Sequence, residues 1–222
     1  MTTKGKFITF EGGEGSGKTT TLSRISAYFD RHSIPYMLTR EPGGITIAEK
    51  IREVILDTKH TEMDARTEAL LYAAARRQHL VEKVRPALDA GTLVLCDRFV
   101  DSSLAYQGYA RGLGMDEVWS INQFAIDSLM PDVTFYLDIE PEVGLSRIAA
   151  SLDREVNRLD MENIDFHHKV REGYHIIAAR NPERVVIINA DQSPSQVMND
   201  IVCELEKGII KDFGASLSNK SK

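Results

Sequence analysis

Residues 12–19, Gly-Gly-Glu-Gly-Ser-Gly-Lys-Thr, join a short apolar run to a stretch of helical periodicity, and few folds can use such a join. The spacing Gly12-x-x-x-x-Gly17-Lys18-Thr19 is that of a P-loop, whose glycines let the backbone approach a polyphosphate and turn successive N–H groups onto it. Upstream, Lys6-Phe7-Ile8-Thr9-Phe10-Glu11 reads as a buried strand. Downstream, Leu22, Ile25, Ser26 and Phe29 recur on one helical face. The phosphate site then comprises Gly12, Gly13, Glu14, Gly15, Ser16, Gly17, Lys18, Thr19 and Thr20. Lys18 reaches the β- and γ-phosphates, and the Thr19 hydroxyl ligates Mg²⁺. A flexible glycine loop is the competing explanation, but a chance match in a chain of this size has a probability of about 1%.

The rest of the chain repeats that alternation. β-rich runs at Phe7–Phe10, Tyr36–Thr39, Leu93–Cys96, Val133–Leu137 and Val185–Ile188 are separated by helical stretches. The helices are expected at Lys18–Asp30, Thr46–Leu56, Ala65–Asp89, Asp116–Ser128, Pro141–Ala150, Glu162–Ala179 and Pro194–Lys207, the last started by Ser193-Pro194. This order predicts an α/β fold with a five-stranded parallel sheet and helices on both faces. Ligands of such sheets bind outside the carboxyl ends of the strands, so the residues after each run matter most.

A chain of 222 residues, 42% hydrophobic, can bury one large core. One domain over residues 1–213 is expected, followed by a flexible tail at 214–222 rich in Ser and Lys. The net charge of -6 argues against a nucleic-acid-coating surface and favours free nucleotides held in a local basic pocket. Two cysteines, Cys96 and Cys203, suggest no disulfide framework, and no apolar run approaches membrane-spanning length. A cytoplasmic protein with neither a nucleic-acid polymer nor a membrane as partner is expected.

The residues after the strands carry chemistry, each with a plainer alternative. Thr39-Arg40-Glu41-Pro42-Gly43-Gly44 sets two opposite charges before a tight turn, either aimed side chains or a solvated ion pair. Arg52, one helix later, is equally ambiguous alone. Asp97, ending the third run, would lie beside the P-loop if the first and third strands are neighbours, where Mg²⁺ needs a carboxylate; Arg98 offers a planar donor fork for phosphate. Tyr72 and Arg76 share a helix face and could hold a base, or form a core-edge pair. Ser103 and Gln107, four apart, could read a pyrimidine edge or face water. The segment about 150–160, with Arg147, Arg154 and Arg158 in or beside it, looks like a lid that delivers a cation to developing charge.

Taken together these blocks resemble the thymidylate kinase family from Phe7 to about Val202. The resemblance rests on Phe-Glu-Gly-Gly-Glu-Gly-Ser-Gly-Lys-Thr-Thr (10–20), Thr-Arg-Glu-Pro-Gly-Gly (39–44), Asp-Arg (97–98), Asp-Ser-Ser-Leu-Ala-Tyr-Gln-Gly (101–108), Pro-Asp-Val-Thr-Phe-Tyr-Leu-Asp (131–138), Asn-Arg-Leu-Asp (157–160) and Asn-Ala-Asp (189–191). It implies a P-loop kinase fold, transfer of the ATP γ-phosphoryl group to thymidine 5′-monophosphate (dTMP) with Mg²⁺, a place in thymidine triphosphate synthesis, and a homodimer. It also implies roles. Lys18 holds the transferred phosphate, Thr19 and Asp97 serve the metal, and Glu14 faces the deoxyribose 3′-hydroxyl. Arg40, Arg52 and Arg98 clamp the acceptor phosphate, with Glu41 orienting them. Tyr72, where Phe is usual, stacks on thymine; Arg76 bonds its O4; Ser103 and Gln107 meet the remaining edge. No P-loop position between Gly12 and Gly17 is basic, so the chain resembles the branch whose catalytic arginine comes from the lid, with Arg154 ahead of Arg147 and Arg158. A kinase for another monophosphate shares most of these features. A regulatory GTP switch would need an Asn-Lys-x-Asp run, which the sequence lacks.

Overall fold

The computed structural model describes residues 4–150 and 158–209. Arg154, most of the expected lid and the expected tail at 214–222 lie outside the described residues. Five strands, β1 (Phe7–Glu11), β2 (Tyr36–Arg40), β3 (Leu93–Asp97), β4 (Val133–Asp138) and β5 (Val185–Asn189), form one parallel sheet ordered β2-β3-β1-β4-β5. All five expected runs are present, and each extends one residue further than its apolar stretch. The added residues, Glu11, Arg40, Asp97, Asp138 and Asn189, are all polar and mark the carboxyl edge of the sheet, where Arg40 and Asp97 line the cleft.

The central strand β1 is buried throughout, and its side chains alternate between two cores as the pleat dictates. Ile8 and Phe10 join Leu95, Phe135 and Leu137 on the face covered by α1 (Lys18–Arg31) and α9 (Pro194–Lys207). Phe7 joins Val94, Cys96 and Val100 on the opposite face. The register Phe10↔Asp97 and Phe10↔Phe135 makes β3 and β4 the neighbours of β1, which brings Asp97 beside the P-loop.

The remaining helices are α2 (Thr46–Leu56), α3 (Ala65–His79), α4 (Arg85–Asp89), α5 (Val100–Ser103), α6 (Met115–Ile126), α7 (Pro141–Ala149) and α8 (Ile164–Arg180). The expected helix at 65–89 is thus α3 and α4 joined through a π-turn, Leu80–Val84. α5 runs on as a wider π-helix, Leu104–Ala110, an element that apolar periodicity does not announce. Asp64 caps α3 by accepting from the N–H groups of Arg66 and Thr67, and Ser193 with Gln196 forms a capping box on α9. No helix among the described residues is long and apolar enough to cross a membrane.

Candidate active site

An open cleft of ≈ 1220 Å³ runs along the carboxyl edge of the sheet, with the P-loop at its middle. Gln192, Pro194 and Val197 line one end; Arg40, Arg52, Tyr72, Arg76, Ser103 and Gln107 line the other, and Asp97 and Arg98 lie between. Among the described residues, every sequence-predicted site residue except Gly12, Gly13 and Arg158 lines this one cleft, and Gly12 and Gly13 belong to the loop itself.

The loop leaves β1 and enters α1 through Gly17, whose φ of 90° turns the first helical N–H groups toward the cleft. Lys18 is buried, and its ammonium donates to the carbonyls of Gly12 and Gly13, both at 3.0 Å. Burial, with Arg98 adding repulsion, lowers its pKa to about 8. Gly15 packs against α7: a Cβ there would lie 2.0 Å from the Gly144 carbonyl oxygen, and a Cβ on Gly144 would lie 2.3 Å from that of Glu14. Gly144 therefore belongs to the phosphate loop's support. A glycine inside a helix, costly by about 1 kcal/mol, is the sequence signal that marks it.

Asp97 and Arg98 end β3. One carboxylate oxygen of Asp97, Oδ1, is buried with no hydrogen-bond partner among the described residues. Thr19 is exposed to the cleft nearby on the loop. Arg98 adopts φ 65°, a conformation that an L side chain rarely takes and that turns its guanidinium back over the loop. That group donates to Glu14 at 2.7 Å, to Ser102 at 3.2 Å and to Tyr174 at 3.3 Å, and lies 5.0 Å over the Tyr106 ring. Burial opposes its charge, but Tyr106, Glu14 and Tyr174 outweigh burial and raise its pKa. Beneath it sits Glu11, a residue that sequence reasoning placed only in a strand. Its carboxylate accepts from the Phe99 N–H, Ser102 and Tyr174 at 2.6–2.7 Å. Burial, reinforced by Asp101, pushes its pKa up to about 7.

The other end is built differently, from side chains on separate elements, two of which, Arg76 and Gln107, meet buried acids. Arg40 pairs with Glu49 at 2.8 Å, and Arg52 donates to the Pro42 carbonyl at 3.1 Å. Burial, then the neighbouring Arg40, lowers the Arg52 pKa. Glu41 was expected to orient Arg40, Arg52 and Arg98. It does not touch them: the backbone after β2 turns its carboxylate inward, where it accepts from Arg76 Nε at 2.7 Å and faces His79 Nδ1 at 2.9 Å. His79 in turn meets Thr39 at 2.7 Å. Arg76, expected as a base reader, is 2% exposed and also donates to Ser103, Asn122 and the Phe99 carbonyl. Four of its five N–H groups are thereby engaged, which leaves one on Nη2. Tyr72 sits one turn before Arg76 on the same face, and burial, with Glu68 second, raises its pKa.

The lid arginines that can be located are both anchored. Arg147, in the last turn of α7, donates to the Ala190 carbonyl at 3.0 Å and pairs with Asp191 at 3.5 Å. Arg158 is buried between Glu68 and the Ile55 carbonyl.

Comparison with known proteins agrees with this geometry. A family model described as thymidylate kinase matches residues 10–201. A thymidylate kinase of Clostridium novyi (strain NT) is 59% identical over 208 residues, covering 94% of this chain and 99% of that protein. One from Bacillus cereus (strain ATCC 10987 / NRS 248) is 59% identical over 207 residues, covering 93% of this chain and 100% of its own length. Among solved structures, the thymidylate kinase of Ehrlichia chaffeensis superposes with a TM-score of 0.73 at 32% identity, over 91% of this chain and 99% of that one. A P-loop beside a pocket lined by arginines, a family model matching residues 10–201 and relatives this similar over nearly their whole length lead to one conclusion: the chain belongs to the thymidylate kinase family.

Proposed function

We propose that the chain transfers the γ-phosphoryl group of ATP to dTMP, giving ADP and the diphosphate on the way to thymidine triphosphate. One observation carries this reading: a single cleft joins the P-loop to a pocket in which Arg98 stands between the loop and the Tyr72–Arg76–Gln107 set. Phosphoryl transfer needs alignment and charge neutralisation rather than a protein nucleophile. The P-loop amides and Lys18 hold the donor's phosphates. Arg40, Arg52 and Arg98 hold the acceptor phosphate, Tyr72 stacks on the base, and the remaining Arg76 N–H meets a base carbonyl. Ser103 and Gln107 meet the rest of the edge, Glu14 the sugar, and Arg154 the charge on the transferred group.

Thr19 and Asp97 fit a hard cation, because both offer oxygen and the Asp97 Oδ1 atom is buried without a donor. Mg²⁺ held there supplies neutralisation of the phosphate charge. The reading includes a single domain over residues 1–213 in a cytoplasmic setting, and a homodimer. α2, α3 and α6 pack side by side and expose Ile47, Val54, Leu70 and, 91% exposed, Phe124, an apolar surface suited to a second copy. Sedimentation of the wild type and of Phe124→Glu checks the dimer, which the charge should dissociate. Phosphorylation of each nucleoside monophosphate by ATP and Mg²⁺ checks the reaction. Turnover of dTMP well above uridylate and cytidylate is expected; no ATP consumption with dTMP would overturn the reading.

A further inference from the structure

One buried carboxylate at the acceptor end has no role among the contacts above. Glu68, on the α3 face that carries Tyr72 and Arg76, is 1% exposed. It accepts from Gln107 Nε2 at 2.7 Å, from Arg111 at 3.4 and 3.5 Å, and from Arg158. Arg111 is itself held over the Phe166 ring at 4.6 Å. A carboxylate accepts and cannot donate, so the Gln107 amide can face it only with its NH₂ group. The amide oxygen is thereby turned away from Glu68. It has no hydrogen-bond partner among the described residues, although Gln107 is 1% exposed and lines the cleft with Tyr72 and Arg76. Because Gln107 lines the cleft, a ligand can supply the donor that this oxygen lacks.

We propose that Glu68 is a positioning residue that sets base selection. By fixing the Gln107 amide with its oxygen toward the cleft, it makes the acceptor site take a pyrimidine with a ring N–H and reject one with a bare ring nitrogen. The inference rests on the acceptor pocket proposed above. The Arg76 N–H and the Gln107 oxygen form a donor beside an acceptor, which complements the C=O and N3–H of thymine or uracil. Cytosine reverses both positions. Its amino group meets the guanidinium and its N3 lone pair meets the amide oxygen, so both contacts become repulsive.

Glu68→Gln tests the inference, because an amide at 68 can donate or accept and leaves Gln107 free to turn over. The readout is the ratio of kcat/KM for dTMP to that for deoxycytidine monophosphate. In the wild type this ratio is expected at about 10²-fold or more, and Glu68→Gln should lower it at least ~10-fold. A purely structural role would depress both acceptors in parallel and leave the ratio alone. The double variant Glu68→Gln/Gln107→Glu exchanges the two groups and again presents an acceptor oxygen to the base, so it should restore the preference to within about threefold of the wild type. A folded Glu68→Gln enzyme with an unchanged ratio overturns the inference. If that variant does not fold, the double variant decides: a retained dTMP preference supports the inference and a lost one overturns it. Failure of the wild type to phosphorylate dTMP at all overturns the proposed reaction itself, a result separable from either.

Discussion

Under the proposed assignment, the two ends of the cleft hold an anion by opposite means. At the proposed donor end the contacts would come from nine consecutive residues, mostly through main-chain N–H groups that shortening a side chain leaves in place. At the proposed acceptor end they would come from β2, α2, α3, α5 and the π-helix, and three of those side chains are paired with an acid: Arg40 with Glu49, Arg76 with Glu41, Gln107 with Glu68, while Arg52 rests on the Pro42 carbonyl. The first arrangement is rigid because it is local. The second depends on the buried Arg76–Glu41 and Gln107–Glu68 contacts staying matched, so binding and stability should be coupled there and largely separate at the P-loop.

Arg76→Ala should break that coupling most visibly. It leaves Glu41 and Asn122 buried without their guanidinium, with an expected loss of about 3–5 kcal/mol of stability by chemical denaturation. At a permissive temperature the KM for dTMP should rise far more than the KM for ATP; equal effects would place Arg76 outside the acceptor pocket. Arg154→Ala should show the opposite pattern, with kcat down by about 10³-fold and the melting temperature unchanged. A near-normal kcat moves the role to Arg147 or Arg158, and the burial of Arg158 against Glu68 means that its own removal would also cost stability.

Glu11 stands between the two ends, contiguous with the P-loop yet supporting Arg98 through Ser102 and Tyr174. Its pKa rises from 4.5 to about 7 on folding, so between those values the folded protein keeps a proton that the unfolded chain has released. This group therefore stabilises the fold at low pH, and its contribution, on the order of 3 kcal/mol, is lost as pH climbs through that window. Glu11→Gln should flatten the slope of unfolding free energy between pH 5 and 8; an unchanged slope would assign it to another group. The smallest effect is expected from Tyr72→Phe. The ring that stacks remains, so kcat/KM for dTMP should stay within about threefold.

The same contrast decides what the sequence discloses. The five strands, the helices on both sheet faces and the phosphate loop follow from periodicity and one contiguous motif, because each is a local pattern, whereas the order of the strands in the sheet is not. The acceptor residues Arg40, Arg52, Tyr72, Arg76, Ser103 and Gln107 are individually ordinary, and only the family resemblance groups them before the fold does. Their supports, Glu11, Glu68, His79 and Asn122, are polar residues in stretches that read as core, and nothing in their spacing distinguishes a buried acid from a solvated one. Glu41 shows the limit well. Its neighbours in sequence suggest that it serves Arg40, while the turn after β2 delivers it to a helix 35 residues away. The π-helix at 104–110 escapes periodicity because its turns are wider than the 3.6 residues on which that signal depends.

The meshing of Gly15 with Gly144 leaves no room between α7 and the phosphate loop. The helix touches the P-loop near its own start and reaches the Ala190–Asp191 turn through Arg147. Saturation mutagenesis at position 144 should consequently return glycine alone among functional clones, even though that residue carries no chemistry and lies on a helix where alanine would ordinarily be an improvement.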